Sequence, residues 1–207
     1  MERFRIKWFG TLLLWAFAFG GLTAQQFVAH VQKFGLSDGL SSYNLTGWLV
    51  DKKGYYWFSS DYGLNRFDGR EFRVYTKEES GLCHNNILLF TEDQRGKLWI
   101  CGGTRGEVSA THCIFDPETE QFSAVEEYLG SAPPFDPKST QMGESIHGKV
   151  TFMEFVNAPE GIRCYEYDSL GMRFLFEIPQ DNPLIQGRLC HRFYATGPNE
   201  SVLMTSA

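Results

Sequence analysis

From Leu45 onward the chain alternates short apolar stretches with polar, glycine-bearing breaks, and the stretches read as strands rather than helices. The clearest set is Leu45–Val50, Tyr55–Ser59, Leu64–Phe67 and Phe72–Tyr75. Between them lie Asp51-Lys52-Lys53-Gly54, Asp61-Tyr62-Gly63 and Asp68-Gly69-Arg70, the last with the Asp-Gly pair that favours hairpins. A second set follows at Ile87–Thr91, Leu98–Cys101, Cys113–Phe115 and Gln121–Val125. A third is Val150–Val156, Ile162–Tyr167 and Arg173–Ile178, its first strand poorly marked. Leu189–Thr205 predicts two further strands around a Gly-Pro-Asn-Glu turn. No segment after the N-terminal region has a convincing helical period.

The first two sets are one pattern written twice. At an offset of 42 residues Leu40 falls on Leu82, Asn44 on Asn86, Asp51 on Asp93, Gly54 on Gly96 and Trp57 on Trp99. A fainter third copy keeps an offset of 52 from the second, with Gly96 on Gly148, Lys97 on Lys149, Asp116 on Asp168 and Phe122 on Phe174. There Trp99 maps to Thr151, so the aromatic signature is lost. Four strands in a repeat of about 40–50 residues is the arithmetic of a β-propeller blade, and a β-sandwich would not repeat a register. The expected fold is therefore all-β: a β-propeller of about three and a half four-stranded blades, an incomplete ring. The blades are placed at 35–76, 77–129, 130–181 and, in part, 182–207.

In such a blade Asp51-x-x-Gly54 is the turn between the first two strands. Gly tolerates the positive φ of a tight hairpin, and Asp bonds the turn's own amides. Trp57 and Trp99 belong to the second strand, where a large ring fills the wedge between blades. Two equivalent turns one blade apart do not converge on a single catalytic site, so the motif reads as architecture.

The N-terminus changes the cellular picture. Arg3, Arg5 and Lys7 precede an apolar run of 15 residues, Trp8–Leu22, followed by Thr23 and Ala24. This is the layout of a secretory signal peptide, and the run is shorter than the roughly 20 residues of a spanning helix. Residues 1–24 are assigned as signal peptide and 25–207 as the N-terminal part of the propeller, although Leu22 departs from the small-residue cleavage pattern. Removal of the signal leaves 16 basic against 24 acidic residues, a net charge of −8. That balance argues against nucleic acid as a partner.

Five cysteines in an exported chain form an odd set, so at least one has no internal partner; a disulfide is possible, but no framework is implied. Cys83-His84, His112-Cys113 and Cys190-His191 lack a second pair at metal-ligand spacing, which leaves ordinary packing as the reading and no metal or other cofactor expected. Gly102-Gly103-Thr104-Arg105-Gly106 lacks the Gly-Lys-Ser/Thr ending of a phosphate loop.

GLSSYNLTGWLVDKKGYYWFSSDYGLNRFDGREFRVYT, Gly39–Thr76, resembles the two-component regulator propeller repeat. It has the Gly-Leu-x-x-x-Asn lead, the Asp-x-x-Gly turn, the Trp strand, Gly-Leu-x-Arg-Phe-Asp and the closing Phe-x-x-Tyr. Gly81–Val125 is similar in its first half and departs where GGTRGEVSATHCIFD replaces the shorter segment. The resemblance implies a periplasmic sensor region of a hybrid two-component histidine kinase of Bacteroidetes type, acting in signal transduction to transcription and often in glycan sensing. It implies a small-molecule or oligosaccharide ligand, membrane attachment through downstream segments, and room for a homodimer in the full-length protein. No kinase module follows within the 207 residues, so no enzymatic activity is expected of the chain itself. Phe27–Phe34 resembles the outer strand that an N-terminus lends to a closing blade, and the chain is accordingly expected to be an N-terminal fragment.

Alternating strands put the loops between strands two and three, together with the blade connections, on one face. That face gathers Ser41, Ser42, Tyr43, Asn44, Asp61 and Tyr62 from the first blade and His84, Asn85, Thr104 and Arg105 from the second. Aromatic platforms among hydrogen-bonding groups suit a sugar or peptide. The candidate ligand residues are Tyr43, Asn44, Asp61, Tyr62, Asn85 and Arg105. The alternatives are a carbohydrate-active propeller enzyme, for which the innermost strands offer only Asn44, Thr46, Glu92 and the turn aspartates, and a protein-interaction propeller.

Overall fold

The computed structural model describes residues 31–104, 110–143, 148–156, 161–179, 181–183, 190–197 and 200–205. The N-terminal signal assignment, Phe27–His30 and Arg105 lie outside them.

The first repeat folds as a meander of β1 (Leu45–Val50), β2 (Tyr56–Ser60), β3 (Gly63–Phe67) and β4 (Phe72–Tyr75), antiparallel and in sequence order. The second gives β5 (Ile87–Glu92), β6 (Leu98–Gly102), β7 (Thr111–Asp116) and β8 (Gln121–Ala124) in the same order. In the third, β9 (Thr140–Met142) supplies the poorly marked first strand, followed by β10 (Val150–Phe155), β11 (Gly161–Asp168) and β12 (Gly171–Pro179). A hairpin of β13 (Cys190–Gly197) and β14 (Glu200–Thr205) follows. The described residues thus form three four-stranded antiparallel sheets and the start of another, the architecture of an incomplete β-propeller.

Two expectations are corrected. Val125 does not extend the last strand of the second sheet but opens a short helix, Val125–Leu129, closed by Gly130 at φ 71°. Phe34 is not in a strand; its ring packs on Phe67 and Phe72, with centroids 4.7 and 5.7 Å away.

The sheets stack face to face through apolar layers, as a period-2 pattern with two buried faces requires. Between the first and second sheets lie Trp57, Leu64 and Tyr75 on one side and Ile87, Phe90, Leu98 and Ile100 on the other. Between the second and third lie Trp99, Cys101 and Ile114 against Val150, Phe152, Tyr165 and Tyr167. Both first strands carry a register shift at the same place, Leu45/Gly47 and Ile87/Leu89, so the repeat extends to its irregularities. Next to the first of these, the Thr46 hydroxyl donates to the Ile87 carbonyl at 2.7 Å and ties the two innermost strands together. The far side of the first sheet exposes Trp48 and Tyr56, whose repeat equivalents Phe90 and Leu98 are buried against that sheet's other side.

The Asp-x-x-Gly turns are built alike. Gly54 and Gly96 take φ 88° and 76°, where a side chain is disfavoured. Asp51 Oδ1 accepts the Lys53 and Tyr55 amides at 2.9 and 3.0 Å, and Asp93 Oδ1 accepts those of Arg95 and Lys97 at 2.8 and 2.9 Å. The second carboxylate oxygen does more than the sequence suggested. Asp51 Oδ2 accepts the Trp57 indole N–H at 2.7 Å, and Asp93 Oδ2 that of Trp99 at 3.0 Å.

Candidate functional site

The connections opposite the Asp-x-x-Gly turns converge at the junction of the first two sheets. Asn44 Nδ2 donates to Asp61 Oδ2 at 3.0 Å, and the Asp61 amide donates to the Asn44 carbonyl at 3.3 Å. The entry to β1 and the exit from β2 are thereby joined. Hydrogen bonds from Ser42 and then Asn44 hold the Asp61 carboxyl below the usual carboxylate range, so at neutral pH this exposed group is an acceptor with negative charge. Tyr62 follows directly, its amide donating to Ser60 Oγ at 3.1 Å and its ring exposed.

The neighbouring blade reaches the same place through Asn85. Its carbonyl accepts the Gly63 amide at 2.7 Å, its Oδ1 accepts the Lys77 amide at 2.7 Å, and its Nδ2 donates to Glu78 Oε2 at 2.8 Å. Asn85 is therefore a bridge whose side chain is engaged within the protein, whereas Asp61 keeps acceptor capacity toward solvent. Tyr43 is exposed and its phenol lies against Gly35, where a Cβ would come within 2.8 Å of the hydroxyl. The rings of Tyr43 and Tyr62 do not stack on each other. The structure thus brings Asn44, Asp61, Tyr62 and Asn85 into one connected segment and sets Tyr43 beside it.

Ser60 and Asn65, which sequence reasoning did not single out, hold this face together with Ser41. Ser60 Oγ shares a hydrogen bond with Ser41 Oγ at 3.0 Å and donates to the Gly63 carbonyl at 3.0 Å. The Ser41 amide donates to Asn65 Oδ1 at 2.9 Å, pinning the lead-in of the first blade to β3. At the matching place in the second blade, the Cys83 amide faces Cys113 Sγ at 3.4 Å and the two cysteines form a disulfide. Ordinary packing is therefore the wrong reading for Cys83 and Cys113; Cys101 and Cys164 are buried thiols.

The opposite face holds a small cleft of about 150 Å³ lined by Lys52, Lys53, Glu92, Arg95 and Glu118. Its charges are largely taken up internally: Lys52 Nζ donates to the Asp93 and Gln94 carbonyls at 2.9 and 2.8 Å, and Lys53 pairs with Glu118 at 3.6 Å. Among the described residues, no group of three or more acidic, His or Cys side chains could hold a metal ion.

No protein-family model and no curated protein matches the chain. Among solved structures it is similar to the extracellular domain of BT4673 from B. thetaiotaomicron, described as a one-component system, at 21% identity and TM-score 0.40, covering 58% of this chain and 16% of that one. A second structure of that extracellular domain, described as part of a hybrid two-component system, matches at 12% identity and TM-score 0.43 over 80% of this chain and 28% of that one. The extracellular domain of the hybrid two-component system BT3049 of the same organism matches at 18% identity and TM-score 0.31 over 70% and 26%. The chain spans between 16% and 28% of these solved chains, and likenesses of this grade carry no argument about its activity.

Proposed function

We propose that the chain is a ligand-sensing β-propeller region of a two-component regulatory system, acting outside the cytoplasmic membrane and reading a small molecule or oligosaccharide. The observation that carries the reading is the repeat over Gly39–Thr76, whose lead, turn, Trp strand and closing segment resemble the regulator propeller repeat residue by residue. The signal-like N-terminus supports export.

The face bearing Asn44, Asp61 and Tyr62 is the proposed ligand surface. It offers a charged acceptor with spare lone pairs next to an exposed ring, the combination that binds a hydroxyl-rich ligand by hydrogen bonds and stacking. The regular turns on the other face serve the fold. Transmission to a kinase belongs to segments beyond this chain in the proposed full-length protein.

The test is a thermal-shift screen of neutral and acidic oligosaccharides and other small solutes, followed by titration calorimetry on those that stabilise the protein. Asp61→Asn and Tyr62→Ala are expected to weaken binding by tenfold or more with the β-sheet circular dichroism unchanged. Unaltered affinity in both variants would remove this face from the account.

A further inference from the structure

The second blade carries a covalent bond where the first has a hydrogen bond. Asn65 stands opposite Phe58 in the β2–β3 ladder, and Cys113 stands opposite Ile100 in the β6–β7 ladder. Phe58 and Ile100 are 42 residues apart, as are Ser41 and Cys83. The Ser41–Asn65 contact and the Cys83–Cys113 disulfide are therefore the same junction in successive blades. Both fasten a lead-in segment to the third strand.

The segment fastened by the disulfide is the one that bridges the blades. Leu82 is buried in the core between the first two sheets, and Asn85 accepts from Gly63 of the first blade. Asn86 exchanges two hydrogen bonds with Gly103, at 3.0 and 2.8 Å. His84 packs so closely on Gly102 that a Cβ there would meet the His84 Cβ at 2.6 Å. Cys83 is half-buried and Cys113 is buried, so Cys83 is the more accessible residue of the pair.

We propose that the Cys83–Cys113 disulfide is a redox-sensitive latch on the Leu82–Asn86 bridge, opened by a dithiol reductant of the thioredoxin class. A thiolate of the reductant attacks Sγ of Cys83, the S–S bond breaks, and Cys113 leaves as a thiolate that takes a proton. The second reductant thiol then attacks the mixed disulfide and releases Cys83 as a thiol. Two electrons and two protons pass to the protein, and the reductant leaves as its own disulfide. With the latch open, the bridge is held by hydrogen bonds and the packing of Leu82 and His84, and the link between Asn85 and Gly63 loosens. The inference rests on the placement of the bridge and not on the identity of a ligand.

The test is made on the folded, oxidised chain with a dithiol titration, differential alkylation read by mass spectrometry, and amide hydrogen exchange. Cys83 and Cys113 are expected to become labelled together while Cys101 and Cys164 stay unlabelled. The amides of Gly63, Lys77 and Gly103 are expected to exchange at least tenfold faster, with β10 and β11 unchanged. A C83S/C113S protein is expected to show the same fast exchange without reductant. A C83S/C113N protein, carrying the pair that the first blade uses, is expected to be indifferent to reductant. Reduction only after unfolding, unchanged exchange at the three amides in both the reduced and the C83S/C113S protein, or a dithiol response in C83S/C113N would each overturn the proposal.

Discussion

The carboxylate of Asp51 binds the indole of Trp57 at 2.7 Å, six residues on, while its other oxygen holds the turn between them. One side chain thus fixes both the hairpin and the rotamer of the ring that fills the wedge between blades. The arrangement recurs between Asp93 and Trp99, and there Tyr128 adds a second donor to Asp93 Oδ2 at 3.1 Å. In the third repeat both partners are replaced together, by Ser145 and Thr151.

Because Trp57 is wholly buried, Asp51→Ala leaves an indole N–H with no acceptor and removes the acceptor of two turn amides. The expected loss is about 2–4 kcal/mol, on the scale of charged hydrogen bonds and stranded buried donors. Asp93→Ala is expected to cost more, since it also removes the carboxylate acceptor of the Tyr128 hydroxyl. Urea denaturation measures both. In a double-mutant cycle of Asp51→Ala with Trp57→Phe, a coupling of about 1–3 kcal/mol is expected; strict additivity would refute the pairing.

Glu120 is the only non-glycine residue at positive φ among the described residues, at 56°. From the β7–β8 turn it reaches back to the first blade, where Arg66 and Arg73 lie 2.9 and 2.6 Å from its carboxylate oxygens. Glu120→Ala loses the ion pairs and keeps the backbone cost; Glu120→Gly loses the ion pairs and relieves it. The glycine variant is expected to be more stable than the alanine variant by about 1 kcal/mol. Equal denaturation midpoints would show that the turn is not strained.

His112 sits between the second and third blades with both ring nitrogens unpartnered, opposite Cys101 on β6 and edge-on to Phe152. Burial pulls its pKa down to about 4 and pushes the Cys101 thiol up to about 11, so both are uncharged at neutral pH. In the unfolded chain His112 titrates near about 6.5. Between these values the unfolded state binds the proton that the folded state refuses, so stability present above pH 6.5 is lost as pH falls toward 4. From pH 7.5 to 4.5, wild type is expected to lose about 2–3 kcal/mol more than His112→Leu. Parallel pH profiles would rule out His112 as the source.

The sequence made the blades legible wherever apolar alternation and Asp-x-x-Gly-x-x-Trp coincide, because those residues are local and report the turn and the wedge directly. β9 was hard to read because Thr140-Gln141-Met142 is too short to show a period. Val125 suited a strand by its branching, but Glu126, Glu127 and Gly130 carry the chain into a capped helical turn. Which cysteines pair is not legible, because the longer second half of the second repeat breaks the offset that aligns Cys113 with Asn65. Of the candidate site, the convergence of Asn44, Asp61 and Asn85 follows from strand alternation. What each side chain binds does not, and Asn85 proved to be a bridge between blades.

The measurement that tests the account most directly compares ligand affinity in variants of the two faces. Titration calorimetry of the strongest ligand from the screen is made with wild type, Asp61→Asn on the loop face and Lys53→Ala on the turn face. The account predicts at least a tenfold weaker dissociation constant for Asp61→Asn and no change for Lys53→Ala. The reverse pattern, or no binding by any screened solute, would contradict it.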